Sequence, residues 1–293
     1  MVALSYLYPA NAAALEADLT QFLANQSWPG DAQRDVDAGA AIGRSVAAQV
    51  VAHAQTDNFF ALWTGTVPVG PGLWFSNTPP VGAAFGQAKT YFLLSGNQFR
   101  PPPPPVFGSA EFLAALAEVR QISDSRTAEQ DALAKYWNFP AGTYQPPGYW
   151  NEQGTTLAVS YRLNERETAH MLALMNMVAF DAVVASHEAK YFYWFIRPSQ
   201  ADPFITLSVP LPNFPSYPSN HASISAGMAR VLGDRFPSEK RRLDALAEEA
   251  ALSRVLGGIH YRFDGDAGVT LGRKVAAWAL AHDVTGHEPF VLQ

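Results

Sequence analysis

Between Ser109 and His282 one long segment after another carries apolar residues at helical spacing, and no run alternates with the period of a strand. Helix-start residues punctuate the pattern. Asn11 opens an Ala/Leu-rich stretch over 11–23, and 37–54 carries apolar residues at helical spacing. Ser109 starts a helix, and Ser125 or Thr127 starts another that runs to about Trp137. Residues 140–148 form a loop, and 164–195 hold one or two long helices ahead of Pro198. Ser219 caps a helix over 220–232, Ser238 caps the next as far as about Leu256, and 265–282 is the last. The expected class is mainly α, a helical bundle forming a single domain over 1–293. The exception is 57–108, rich in Gly, Pro and aromatic residues and ending near five consecutive prolines, which is expected to wrap the helical body irregularly.

Composition narrows the function classes. Of the 293 residues 48% are hydrophobic and 16% charged, enough for a large core. The net charge of −6 argues against a nucleic-acid partner. With no cysteine there is no disulfide, thiolate metal site or Cys nucleophile. No apolar run is read as a transmembrane span, and the N-terminus lacks the basic region of a signal peptide.

Three stretches in the C-terminal half concentrate the chemistry. In the first, Lys190 and Arg197 are seven apart, two turns of an unbroken helix, with Tyr191 to Ile196 as an apolar sleeve between them. In the second, Pro218-Ser219-Asn220-His221 sets a hydroxyl, free backbone amides and an imidazole at a helix start, where the amides and the dipole favour anions. The preceding Phe214-Pro-Ser-Tyr-Pro218 stiffens the approach. In the third, Arg254 and His260 flank Gly257 and Gly258, which let a helix end so that both can turn to one centre. Asp264 follows His260 by four residues, near enough to hold one ring nitrogen. Taken singly, each stretch also suits ordinary structure: snorkelling cations, a plain cap, a satisfied core histidine. Together they offer three cations and two imidazoles, an inventory for a tetrahedral oxyanion such as phosphate or vanadate.

Lys-x6-Arg-Pro, Pro-Ser-Asn-His and Ser-Arg-x5-His-x3-Asp, in that order, resemble the signatures of the type 2 phosphatidic acid phosphatase (PAP2) and vanadium haloperoxidase superfamily. Asn220 stands where that family usually has Gly. Phe214 ahead of the second motif, Asn97-Gln-Phe-Arg-Pro-Pro102, Arg126-Thr-Ala-Glu-Gln130, Tyr136-Trp137 and Pro146-Pro-Gly-Tyr-Trp-Asn151 are similar to the bacterial vanadium chloroperoxidase branch. The resemblance runs from about Tyr6 onward. Relatives usually carry further helices ahead of that point, so an N-terminal portion is expected to be missing.

For a haloperoxidase the resemblance implies vanadate as cofactor, with His260 as the ligand to vanadium. Lys190, Arg197, Arg254, Ser219 and the Asn220 N–H would surround the oxygens, His221 would be the acid/base, and Lys190 would polarise hydrogen peroxide. Asp264 would orient His260. Halide and a small organic substrate would be the other partners. For a phosphatase acting on a phosphate ester, His260 would be the nucleophile of a phosphohistidine intermediate and His221 would protonate the leaving group. A non-catalytic oxyanion-binding protein is the third reading. Phe214 and His187 are assigned to the halide or substrate pocket. His187 stands where chloride-oxidising members have Trp, which predicts bromide or iodide oxidation and a rate that changes near pH 6.5. The family points to a secreted or periplasmic protein, and a homo-oligomer is compatible with the sequence.

Overall fold

The computed structural model describes residues 1–25, 30–140 and 142–284, with the backbone alone for 30–34. Where the sequence predicts one domain over 1–293, the packing falls into two compact units, Met1–Phe59 and Phe60–Gln293.

The first unit holds α1 (Val2–Leu7), α2 (Ala12–Ala24) and α3 (Gly30–Ala54). Helix α1 is absent from the sequence prediction, and α3 starts seven residues before the predicted 37. Arg44 on α3 reaches Glu16 on α2 with two hydrogen bonds, of 2.9 and 2.7 Å. Helices α1 and α2 bury no residue fully.

The second unit is the helical body. Helix α4 (Ala110–Ser125) begins at Ser109, whose hydroxyl accepts from Phe112 N. Helix α5 (Ala128–Tyr136) begins at a capping box of Thr127 and Gln130, so Thr127 and not Ser125 is the start. Helix α6 (Gln145–Ser160) lies partly where the sequence predicts a loop over 140–148. Its two prolines sit in the first turn, where a missing N–H costs no hydrogen bond, so they open the helix instead of forbidding it. It buries Tyr149, Trp150 and Leu157.

The long helix α7 (Glu165–Tyr193) is unbroken and begins at a capping box of Asn164 and Glu167. By length and hydropathy alone it could cross a membrane, which corrects the sequence reading that found no such run. Half of its most apolar window is buried inside the protein, and Asp181, His187 and Lys190 are buried along it. A short α8 (Pro198–Ala201) follows.

Helix α9 (Asn220–Arg235) is the centre of the body, packed against α6, α7, α10 (Lys240–Leu256) and α11 (Arg262–His282). Ser238, predicted to cap α10, lies instead in the 3₁₀ turn Pro237–Glu239, and α10 has no side-chain cap bond. Among the described residues no strand forms; Leu73 and Phe195 make an isolated bridge.

Residues 60–108 contain, among regular elements, only the 3₁₀ turn Phe85–Gln87. They run along α7, held by its polar side chains. The buried Asp181 carboxylate accepts from the backbone N–H of Tyr91, Phe92 and Leu93 at 2.8–3.0 Å. Arg100 pairs with Glu188 and lies 3.6 Å from the Phe192 ring centroid.

The α9–α11 contact depends on absent side chains. A Cβ on Gly272 would stand 2.1 Å from Ser223 O, and one on Gly268 would stand 2.5 Å from Ser219 O. Backbone meets backbone here, and neither helix can yield without separating the two N-termini that carry Ser219 and His260. Gly272→Ala is therefore expected to lower stability by about 3 kcal/mol or more, measured by urea unfolding.

Candidate oxyanion site

Lys190, Arg197, Ser219, His221, Arg254, His260 and Asp264 come to one buried centre. Of these Lys190, Arg197, Ser219 and Asp264 are fully buried, and Arg254 and His260 nearly so. The second unit's packing delivers them from four places: the end of α7, the chain just after it, the start of α9, and the turn between α10 and α11.

Lys190 and Arg197 converge for a reason other than the predicted one. They do not share a helix face, because α7 stops at Tyr193. Trp194 takes the left-handed conformation with φ 48°, and Arg197 is extended at φ −79°, ψ 153°. Trp74 N bonds Trp194 O at 2.6 Å and Ile196 N bonds Gly72 O at 3.0 Å, so the 60–108 segment holds this reversal. Lys190 Nζ donates to Pro215 O and Ser216 O, both at 2.8 Å. Arg197 donates from Nε to Phe214 O at 3.0 Å, and from Nη1 to Ile259 O at 2.7 Å and His260 Nε2 at 3.0 Å.

Gly257 and Gly258 act as predicted. Helix α10 ends at Leu256, and Gly258 turns the chain with φ +81°, where a Cβ would also stand 3.1 Å from Thr206 O. This turn releases His260 from the face of Arg254. His260 Nδ1 faces Asp264 Oδ2 at 2.8 Å. A carboxylate beside Nδ1 and a guanidinium N–H beside Nε2 fix the tautomer: Nδ1 carries the proton and Nε2 the lone pair.

At α9, Ser219 Oγ accepts from Ala222 N at 3.4 Å, while Ser219 N donates to Asp264 O at 2.9 Å. The two helix starts are thus joined. Asn220 Oδ1 accepts from Ser186 Oγ at 2.7 Å, tying α9 to α7 through the side chain that replaces the usual Gly. Arg254 donates from Nη2 to Ala134 O at 2.6 Å and from Nε to Ser253 Oγ at 3.0 Å.

Burial sets the electrostatics. It lowers the Arg197 and Arg254 pKa values to about 10. Burial, then the nearby Arg197 charge, pushes Lys190 well below its ordinary value, while Asp264 pulls the other way. Burial and the Arg254 charge take His221 to about 3, and burial with Arg197 and Lys190 takes His260 well below the usual imidazole range. Asp264 is raised to about 6, first by burial, against the Ser216 hydrogen bond and the two cations. Three buried polar atoms of this centre have no partner: Arg197 Nη2, His221 Nε2 and Asp264 Oδ1. A cluster of cations with idle polar atoms is short of an anion. Its donor set fits vanadate or phosphate. Among the described residues no three His, Cys, Asp or Glu side chains gather to hold a metal ion.

His187 lies beside this centre and away from solvent, 3% exposed. Its ring packs 5.1 Å from Phe85, 5.6 Å from Phe214 and 6.4 Å from Tyr191, and Nδ1 meets Val183 O at 2.9 Å. Phe214 in turn lies 5.0 Å from Lys190 Nζ and 5.1 Å from the Arg197 guanidinium carbon. The titration near pH 6.5 expected from the sequence is corrected: burial, then Lys190, lowers His187 to about 3. Sequence reasoning missed Ser216 and Ala134. Ser216 lay inside a stretch quoted only for its stiffness. Ala134 acts through its backbone carbonyl, which leaves no mark in the sequence.

Folding therefore buries neutral imidazoles that take up protons when unfolded. Between pH 6.5 and about 3 the unfolded chain binds more protons at His187 and His221, so stability should fall as pH falls through that window. Each such group contributes at most about 1.4 kcal/mol per pH unit. Asp264 acts with the opposite sign below about pH 6, because its raised pKa lets the folded state hold the extra proton. Urea unfolding at pH 7 and pH 5 measures the net slope. Histidine NMR of the ligand-free protein should show no titration of His187 between pH 5 and 8.

Residues 170–285 match the model of the PAP2 superfamily. Over 190 residues the chain is 23% identical to a vanadium chloroperoxidase from Curvularia inaequalis, a stretch covering 50% of this chain and 31% of that protein. The chain thus spans about a third of the curated relative it matches. In structure it is similar to a bacterial vanadium-dependent iodoperoxidase, with TM-score 0.69 and 24% identity, covering 81% of this chain and 68% of the other. It is also similar to a holo-type bacterial vanadium-dependent chloroperoxidase, with TM-score 0.71 and 15% identity, covering 94% and 78%. At these identities the structural likeness establishes the fold. Residues 170–285 are thus similar to the PAP2 superfamily, and the helical body has the all-α fold of the vanadium haloperoxidases to which it is similar.

Proposed function

We propose that this protein is a vanadate-dependent haloperoxidase, oxidising halide with hydrogen peroxide to hypohalous acid, which then halogenates a small organic substrate. The observation that carries this reading is the pair of buried, unpartnered nitrogens, Arg197 Nη2 and His221 Nε2, beside a His260 whose Nε2 keeps its lone pair. The iodoperoxidase and chloroperoxidase likenesses favour peroxide chemistry over phosphate-ester hydrolysis on this scaffold.

His260 would hold vanadium through Nε2, with Asp264 fixing the ring. Lys190, Arg197 and Arg254, with Ser219 and the Asn220 N–H, would hold the oxygens. Such donors, already set in a dry site, need no reorganisation when charge arrives. Vanadate, when bound, supplies the Lewis-acidic centre at which peroxide becomes reactive toward halide. His221 is neutral in the ligand-free site and takes a proton at Nε2 from incoming peroxide. An anion beside it raises its pKa and so favours that transfer. Phe214 and His187 would wall the halide side, and the loss of a charged imidazole there removes the pH 6.5 step from His187's share of the profile.

The PAP2 match over 170–285 supports a second reading, a phosphatase in which the same Nε2 attacks phosphorus and His221 protonates the leaving group. Dye bromination with peroxide, with and without vanadate, is run beside p-nitrophenyl phosphate hydrolysis with and without vanadate. Vanadate-dependent bromination is the expected result. Hydrolysis blocked by vanadate, without bromination, would replace the first reading by the second, and inactivity in both would leave an oxyanion-binding protein. His221→Ala is expected to lower bromination about 10²–10⁴-fold while vanadate affinity changes by less than about tenfold, since one uncharged ring is lost and the three cations remain.

A further inference from the structure

We propose that Ser216 is a positioning residue for His260, acting through Asp264, and that its hydroxyl keeps the Nε2 lone pair presented to the bound oxyanion. The proposal rests on the oxyanion reading of the site. Ser216 is fully buried, and each of its polar groups meets a different part of the centre. Its N–H donates to Phe195 O at 2.9 Å, pinning it to the segment between Lys190 and Arg197. Its carbonyl accepts from Lys190 Nζ at 2.8 Å. Its hydroxyl donates to Asp264 Oδ2 at 2.6 Å.

The Asp264 contacts are one-sided. Oδ2 accepts from Ser216 Oγ, from His260 Nδ1 at 2.8 Å and from Tyr261 N at 3.1 Å, whereas Oδ1 is buried with no partner. A carboxylate is free to turn about its terminal torsion, and two bonds from the adjacent residues His260 and Tyr261, just ahead of the helix that carries Asp264, leave that torsion loosely set. The Ser216 hydroxyl comes from a different segment, so it fixes which oxygen faces the imidazole and where. While Oδ2 holds the Nδ1 proton, Nε2 stays unprotonated and receives Arg197 Nη1 at 3.0 Å. Without the hydroxyl, Oδ1 can compete for the buried donors, the Nδ1–H···Oδ2 bond loosens, and the ring is freed to populate the other tautomer. Groups that orient a ligating histidine in this way commonly change ligand affinity by about 10–100-fold when removed.

The test compares Ser216→Ala, Ser216→Thr and the unmodified protein in two measurements. The first is ¹⁵N NMR of the histidine ring nitrogens in the protein without added oxyanion, which reads the His260 tautomer directly. The second is calorimetric binding of orthovanadate and of inorganic phosphate. Ser216→Ala is expected to move the His260 Nδ1 and Nε2 signals toward one another and to weaken orthovanadate binding by about 10–100-fold, with Ser216→Thr restoring both because it keeps the hydroxyl. A merely structural role would lower the melting temperature and leave the nitrogen signals in place. Unchanged His260 signals in Ser216→Ala overturn the proposal, whatever the affinity does. If the unmodified protein binds neither oxyanion, the oxyanion reading fails, and the nitrogen signals still decide the role of Ser216. Should the alanine variant not fold, Ser216→Cys, of similar volume and with a weaker donor, is put to the same comparison.

Discussion

Everything in the second unit is arranged around the burial of three cationic side chains against one carboxylate. Lys190, Arg197 and Arg254 lie at 0%, 0% and 1% exposure, and Asp264 at 0%. Such charges are costly to bury without compensation. Here much of the compensation is neutral. Backbone carbonyls of Ala134, Phe214, Pro215, Ser216 and Ile259 accept from the cations, and Asp264 opposes the charges of Lys190 and Arg197. Carbonyl dipoles satisfy N–H groups without cancelling net charge. The centre is left positive; burial lowers the pKa values of its lysine and arginines, and at Lys190 the Arg197 charge adds to that effect. An anion with several acceptor oxygens would offset that positive charge and give Arg197 Nη2 the partner it lacks.

That arrangement explains why the body is so tightly joined at α9 and α11. A site with idle polar atoms opposes folding, each buried unpaired group costing about 1–3 kcal/mol. The surroundings must hold it open against collapse. The glycines at 268 and 272 let two helix backbones meet, and the bond from Ser219 N to Asp264 O fixes one N-terminus to the other. The 60–108 segment does the same on the far side, where Gly72 and Trp74 grip the reversal after α7. Apolar burial elsewhere, with Trp74, Trp137 and Trp150 all but fully enclosed, supplies the offsetting free energy.

How much of this was legible in the sequence follows from which forces are local. Caps at Ser109, Thr127, Asn164 and Ser219 are bonds within three residues, so their signatures survive in a bare sequence. The convergence of Lys190, Arg197, His221, Arg254, His260 and Asp264 was legible from motif order. The route was not. Helical spacing predicted a shared face for Lys190 and Arg197, but Trp194 turns the chain back, and what holds that turn lies more than a hundred residues away in sequence. Helix α6 was hidden for a related reason, since Pro146 and Pro147 read as breakers until their place in the first turn is known.

His187 shows where a residue's type and its environment part company. In the sequence it is a polar, titratable ring one turn from Lys190, and the ordinary imidazole pKa makes it a switch near neutrality. In the structure Phe85, Tyr191 and Phe214 enclose it, and the cation next to it penalises a second positive charge. It therefore behaves as a neutral aromatic with one anchored nitrogen, closer to a tryptophan than its chemical class suggests. In the haloperoxidase reading, any influence on halide choice then comes from the shape and polarity of that ring behind Phe214, and a charge at position 187 is the wrong property to vary. The same logic applies to the whole centre. Its chemistry is set less by which ionisable residues are present than by how completely the fold removes water from them.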